Sequence, residues 1–272
     1  MIQSQQLQFK RVAQATGYNV LMSVPDYAAD SLEPACLPAL LRTRGAVCLR
    51  ELFSESEISA WLPAFEAAYV GSDFRFQTGQ MDAGTYASYY QYGHADPREA
   101  RAYAGWLEML QSRSRLQELL GAVFGERALL LCRNSVPRRQ SPERPEQAIA
   151  FHQDQEFMGP MHQAVNLWLP LTPAGGDYPG IEIWLDGPLY PLLSLDLSEP
   201  ERQRCLQDMR PEALWRPELR PGDALLFTPY TVHRTWLASQ MRQTRLSYEL
   251  RLISLQDQPL TRSPVIPWEL AQ

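Results

Sequence analysis

The sequence predicts an α+β fold, with a sheet part built as a sandwich or barrel and helices packed on its outside. Two observations predict it. The first half of the chain carries apolar residues at helical spacing, and from about residue 128 the pattern changes to short runs rich in β-branched and aromatic residues, separated by Pro- and Gly-containing turns. A third is continuity, since the 272 residues hold no internal repeat and no long linker. One domain over 1–272 is therefore expected: a strand and helices to about 127, a strand-rich core over about 128–254, and a C-terminal tail over 255–272.

Taken in order, GAVCLR (45–50) reads as a strand. Ser54-Glu55-Ser56-Glu57 is a capping box opening an amphipathic helix through Ile58, Trp61, Leu62, Phe65, Ala68 and Tyr69. Asp96-Pro97-Arg98-Glu99 repeats the start signal, with Asp as N-cap and Pro at the first helical position. It leads into Trp106, Leu107, Leu110, Leu116, Leu119, Leu120, Val123 and Phe124, and Gly125 ends that region. The strand-like runs are ALLLCRNSV (128–136), AIAFHQD (148–154), QAVNLWLPL (163–171), IEIWL (181–185), DALLFTP (223–229) and TRLSYELRLIS (244–254). Two segments, PRRQSPERPEQ (137–147) and the stretch 186–221, read as loops or insertions of the kind that shape a mouth.

A composition of 45% hydrophobic and 21% charged residues is that of a globular protein and excludes disorder, collagen and coiled coil. Only Lys10 among the 25 basic residues is a lysine, and against 31 acidic residues the net charge is −6, which argues against nucleic-acid or membrane-surface binding. No run approaches the roughly 18 apolar residues of a membrane helix, and the start MIQSQQLQFKR lacks the apolar centre of a signal peptide. A cytoplasmic location is the default expectation. Cys36, Cys48, Cys132 and Cys205 form no C-x-x-C pair and read as small buried hydrophobes.

Two H-x-D pairs occur, and their surroundings separate them. Asp96 of His94-x-Asp96 is already explained as a helix cap, whereas His152-x-Asp154 follows the apolar run Ala148-Ile149-Ala150-Phe151. In a strand, residues i and i+2 share a face, so His152 and Asp154 are expected to serve one ion as neighbouring ligands. A third ligand is available in His233, just beyond DALLFTP, and two His with one carboxylate form the facial triad of non-haem iron(II). Arg245 opens the last clear strand, where an arginine fork suits the far carboxylate of a dicarboxylic co-substrate. The rival reading is strand alternation, since 245, 247, 249 and 251 are polar and 246, 248, 250 and 252 apolar, so the polar face would simply meet water. Tyr86, Tyr89, Tyr90 and Tyr92 serve either a pocket or packing. The arginines of 138–144 read as a solvated loop, with recognition of a substrate carboxylate or phosphate as the alternative, and His162 as a surface loop residue.

FHQDQEF, GDALLFTPYTVHRT and RLSYELRL, in this order and spacing, resemble the phytanoyl-CoA dioxygenase-like (PhyH) family of iron(II)/2-oxoglutarate oxygenases. The resemblance covers roughly 128–254, and GAVCLRELFSESEI also looks like that family's opening strand and helix. It implies a double-stranded β-helix (jelly roll), with His152, Asp154 and His233 as iron ligands and Arg245 on the 2-oxoglutarate 5-carboxylate. Thr235 matches a hydroxyl that helps hold the co-substrate, Ser247 shares the strand face of Arg245, and Trp168 and Asn134 match pocket positions more loosely. Implied with these are dioxygen as oxidant and a small-molecule or carrier-bound substrate, hydroxylated at a C–H bond in specialised metabolism with release of succinate and CO₂. The family's usual Asn-Gly-x-Leu and Pro-Gly-Ser-His turns are replaced here by PGIEIWLDGPLYP from Pro179, so the substrate side departs from the pattern. The rivals are a jelly-roll metal enzyme without 2-oxoglutarate, such as a cupin-type dioxygenase or isomerase, and a non-catalytic jelly-roll binding protein.

Overall fold

Two sheets face each other, and the parity of each strand decides which residues lie between them. The structure is a computed structural model and describes residues 24–99, 103–159, 163–185, 197–207, 209–257 and 264–270. The start MIQSQQLQFKR, His162 and residues 186–196 of the long insertion lie outside them. The strands are β1 (Asp26–Ala28), β2 (Ala46–Arg50), β3 (Arg127–Leu131), β4 (Val136–Gln140), β5 (Ala164–Pro170), β6 (Gly180–Trp184), β7 (Leu214–Trp215), β8 (Ala224–Phe227), β9 (Val232–Trp236), β10 (Arg245–Ile253) and β11 (Val265–Glu269). The larger sheet has the order β1-β2-β8-β5-β10-β3-β11, with β4 also pairing β10, and the smaller is β7-β6-β9. This is the jelly-roll arrangement.

The helices are α1 (Leu37–Arg44), α2 (Glu55–Ser59), α3 (Leu62–Gln77), α4 (Ala83–Tyr92), α5 (Tyr103–Ser112), α6 (Ser114–Phe124), α7 (Gln155–Met158) and α8 (Glu199–Gln207). Leu37, Phe65, Trp106 and Leu116 from the helices share one core with Val47, Leu49, Leu167, Leu169, Leu226, Tyr248 and Leu250 of the larger sheet. The opposite parity of the same strands, Ala46, Cys48, Trp168, Leu225 and Phe227, packs against Ile181 and Ile183 of the smaller sheet. Both faces of the larger sheet are therefore covered, which is why β5 and β8 are buried along their whole length. Among the described residues no helix is long and apolar enough to cross a membrane.

Several expectations change. The capping box at Ser54 forms, but its helix stops after Ser59 and a new one starts at Leu62, with Pro63 in the first turn, where its missing N–H costs nothing. The arginine-rich 137–147 is only partly loop: Pro137–Gln140 belong to β4, and Arg138 is 5% exposed rather than solvated. Residues 232–236 form a strand that the sequence pattern did not separate from DALLFTP. The tail contains β11, antiparallel to β3. AIAFHQD is not a regular strand. Thr235 N–H donates to Ile149 O, and His152 and His233 exchange both main-chain bonds, so three residue steps on one side span two on the other. That extra residue is a bulge, and Asp154 already has helical φ and ψ at the entrance to α7. Of the cysteines only Cys48 is buried, and Cys36 is exposed.

Candidate active site

The bulge and the turn after it, rather than plain strand alternation, bring His152 and Asp154 beside His233. The Nδ1 atoms of the two histidines lie 2.9 Å from Ala150 O and 3.0 Å from Thr231 O. A carbonyl can only accept, so each Nδ1 carries the proton and each Nε2 offers a lone pair. Those Nε2 atoms lie 3.4 Å (His152) and 3.8 Å (His233) from Oδ1 of Asp154, and one ligand atom from each of the three residues lies within 4.8 Å of the others. Oδ1 is buried and makes no hydrogen bond, whereas Oδ2 accepts from Asn166 Nδ2 at 2.7 Å and from Arg251 Nε at 3.1 Å.

A buried carboxylate oxygen facing two nitrogen lone pairs is electrostatically unfavourable until a cation sits among them. Burial would raise the Asp154 pKa, but the Arg251 guanidinium acts against it and the carboxyl is held well below the usual range. Burial and the neighbouring His152 push His233 down to about 4, which keeps its imidazole neutral and ready to ligate at neutral pH. Two neutral imidazoles and one carboxylate on one face suit a borderline divalent metal such as iron(II).

The second part of the cleft is built by β10. Its apolar parity packs under the helices, so Arg245, Ser247, Glu249 and Arg251 turn toward the smaller sheet instead of solvent. Arg245 is 1% exposed and donates from Nη1 to Gly180 O at 2.8 Å. Its Nε has no partner, and its guanidinium carbon lies 5.1 Å from the centre of the Trp168 ring. Among the described residues no carboxylate lies within ion-pair distance of it. Burial, with Arg138 nearby, presses its pKa from 12.5 down to about 9. Since a guanidinium does not give up its proton at neutral pH, the downward direction marks an unpaired buried cation as costly. Ser247 Oγ, fully buried on the same strand face, is also without a partner. Together they present what one carboxylate would satisfy.

Of the residues singled out in the sequence, His152, His233, Thr235, Trp168 and Arg245 line one cleft. Asp154 joins them through Oδ1, and Ser247 lies buried on the cleft-facing parity of β10. Thr235 Oγ1 accepts from Arg138 Nη2 at 3.1 Å and Ile149 N–H at 3.2 Å, which leaves its own proton to donate. Asn134 enters through its carbonyl, which accepts from Arg251. The tyrosines serve packing: Tyr86 and Tyr90 stack near Phe76, and Tyr89 contacts Asp73 and Arg139.

Sequence reasoning missed Arg138, Asn166, Glu249 and Arg251. Arg138 is fixed by bonds to Tyr92 O and Gln147 O, and Gly93 (φ +68) makes this approach possible, because a Cβ there would lie 2.1 Å from Arg139 O. For Asn166 a signal did exist, since it is the single polar residue of AVNLWLP.

The sequence pattern of the phytanoyl-CoA dioxygenase (PhyH) family matches residues 41–237, which include His152, Asp154 and His233 and end short of Arg245. No curated protein matches the chain. Among solved structures, the chain resembles the non-haem α-ketoglutarate-dependent carbocyclase SnoK from nogalamycin biosynthesis, with TM-score 0.61, 12% identity and coverage of 89% of this chain and 99% of that one. It also resembles EctD from S. alaskensis, with TM-score 0.59, 16% identity and coverage of 90% and 85%. EvdO2 from Micromonospora carbonacea var. aurantiaca, solved with 2-oxoglutarate, gives TM-score 0.52, 19% identity and coverage of 89% and 94%. At these identities the likeness is one of fold.

Proposed function

The chain belongs to the phytanoyl-CoA dioxygenase family of iron(II)/2-oxoglutarate-dependent oxygenases, and from that premise we propose that it hydroxylates a C–H bond of a small or carrier-bound metabolite, in specialised metabolism, through the cleft between its two sheets. Nε2 of His152, Nε2 of His233 and Oδ1 of Asp154 hold the iron. Arg245, with Ser247 and the proton of Thr235, receives the far carboxylate of 2-oxoglutarate. The bound metal and co-substrate, with dioxygen, supply an oxidant able to break an unactivated C–H bond, at the cost of converting 2-oxoglutarate to succinate and CO₂.

The single observation that carries this reading is the pairing, in one cleft, of an open-faced His-Asp-His cluster with an arginine whose Nε, and a serine whose Oγ, has no partner. A jelly-roll metal enzyme without 2-oxoglutarate has no use for a buried cation lacking a counter-charge. The chain itself orients and desolvates. Trp168 covers the Arg245 guanidinium, Ile149, Ile181 and Phe227 wall off water, and Asp154 fills the ligand position a halide would need. This last point favours hydroxylation over halogenation.

Iron-loaded protein, given 2-oxoglutarate and a panel of amino acids, carrier-bound acyl groups and specialised metabolites, is expected to release succinate in response to its substrate. Under heavy-oxygen gas the product should carry one labelled oxygen atom. Stimulated succinate with a product that has only lost two hydrogens would replace hydroxylation by ring closure or desaturation within the same family chemistry.

A further inference from the structure

A guanidinium facing a carboxylate ordinarily spreads its fork over both oxygens. Arg251 does not. Its Nε and Nη2 both lie 3.1 Å from Oδ2 of Asp154, while Nη1 is committed to Asn134 O and Nη2 also donates to Glu249 at 3.2 Å. The ring of Phe157 lies 5.2 Å from its guanidinium carbon. Asn166, from the neighbouring strand β5, donates a second hydrogen bond to the same oxygen at 2.7 Å. Two hydrogen bonds, from Arg251 Nε and Asn166 Nδ2, and the close Arg251 Nη2 thus converge on Oδ2, and none of them reaches the buried Oδ1.

We propose that Arg251 is the positioning residue of the metal carboxylate: with Asn166 it takes up Oδ2 of Asp154 and leaves Oδ1 as the one oxygen that binds the metal. This rests on the reading of His152, Asp154 and His233 as the metal site. Its consequence is a count of coordination positions. Three single-atom ligands leave three positions open on an octahedral ion, enough for a chelating 2-oxo acid and dioxygen, whereas a chelating carboxylate would remove one. Glu249 holds the guanidinium from the cleft side, and Arg138 lies 3.9 Å beyond it, so the clamp is fixed at both ends.

The test uses cobalt(II), titrated without oxygen or co-substrate and followed by its visible absorption, so that no turnover is involved. Arg251→Lys keeps the charge but loses the fork, and cobalt affinity is expected to fall about tenfold, the lower end for partners that orient a metal ligand. The second arm compares two proteins that both lack the carboxylate. In Asp154→Ala, added formate has one oxygen for the metal and one for Arg251 and Asn166, so it should restore cobalt binding. In Asp154→Ala/Arg251→Lys the same formate should restore about tenfold less. A merely structural role for Arg251 would not separate these two, whose folding is checked by circular dichroism. If the double variant does not fold, Asp154→Ala/Asn166→Ala is read instead, with the same expectation. Equal rescue by formate, or wild-type cobalt affinity in Arg251→Lys, overturns the positioning role and leaves the metal site standing. Cobalt binding indifferent to Asp154→Ala overturns the metal site and the proposal with it.

Discussion

At the metal end of the cleft the charge on Asp154 meets Arg251, which also bonds Glu249, and only one oxygen is left open. At the end proposed for the co-substrate Arg245 is just as deeply buried, yet it faces Trp168 and a carbonyl and, among the described residues, has no carboxylate partner. Both ends are built by β10, six residues apart in one strand. The contrast teaches that the first end is organised by the chain to receive a cation, whereas the second is held at a cost until an anion arrives.

Removing the carboxylate at the organised end should have the largest effect. Asp154→Ala is expected to abolish saturable metal binding in anaerobic titration. It also leaves Arg251 short of a partner, so the metal-free protein should lose about 3 kcal/mol in urea unfolding, the lower end for breaking a buried pair. Arg245→Ala breaks the comparison if it behaves in the same way. The expected result is the reverse in stability: no loss, because a buried cation without a counter-charge is removed. Its cost falls on 2-oxoglutarate, whose affinity should drop about 30-fold or more, from about 2–5 kcal/mol for truncating one partner of a buried pair, with metal affinity nearly intact. Arg242→Ala, in the exposed turn before β10, should leave both unchanged and serves as control.

Proton linkage sharpens the contrast further. His233 has a folded pKa of about 4 against 6.5 in the free side chain, so the unfolded chain binds more protons between those values. Stability of the metal-free protein should therefore fall as pH drops from about 6.5 toward 4, at up to about 1.4 kcal/mol per pH unit from this group. Saturating metal should oppose that loss, because it binds the neutral imidazole; an equal decline with and without metal would count against His233 as a ligand. The smallest expected effect belongs to Ser247→Ala. Losing one hydrogen bond to a carboxylate, about 1.5 kcal/mol at the lower end, should weaken 2-oxoglutarate roughly tenfold, and no change would mean that Ser247 does not reach the co-substrate.

How much of this was legible in the sequence depended on whether local pattern or tertiary context decided the point. The alternation of β10 could be read directly, but not its orientation, because neither parity meets solvent: Leu246, Tyr248 and Leu250 lie under the helices and the polar set lies between the sheets. The H-x-D motif was read as plain strand alternation, a geometry it does not have, since a bulge leaves no local sequence signature. β4 and β11 were hidden by Pro137 and Pro267, which the strands tolerate because β11 lies at the edge of the sheet and β4 meets only a single bridge at His94 on the side away from β10. Arg138 was taken for a loop residue in consequence. Arg251 carried no signal of its own, because its role is defined by Asp154 and Asn166, both remote in the chain.

The central claim is that the His-Asp-His cluster and Arg245 form one site for iron(II) and 2-oxoglutarate. The most direct measurement is anaerobic addition of 2-oxoglutarate to the iron-loaded protein, followed by visible absorption. A chelated 2-oxo acid on iron(II) gives a charge-transfer band, which should saturate with the wild type, require about 30-fold more 2-oxoglutarate with Arg245→Ala, and be absent with Asp154→Ala. No band in the iron-loaded wild type, or a band of the same midpoint in Arg245→Ala, would contradict the claim.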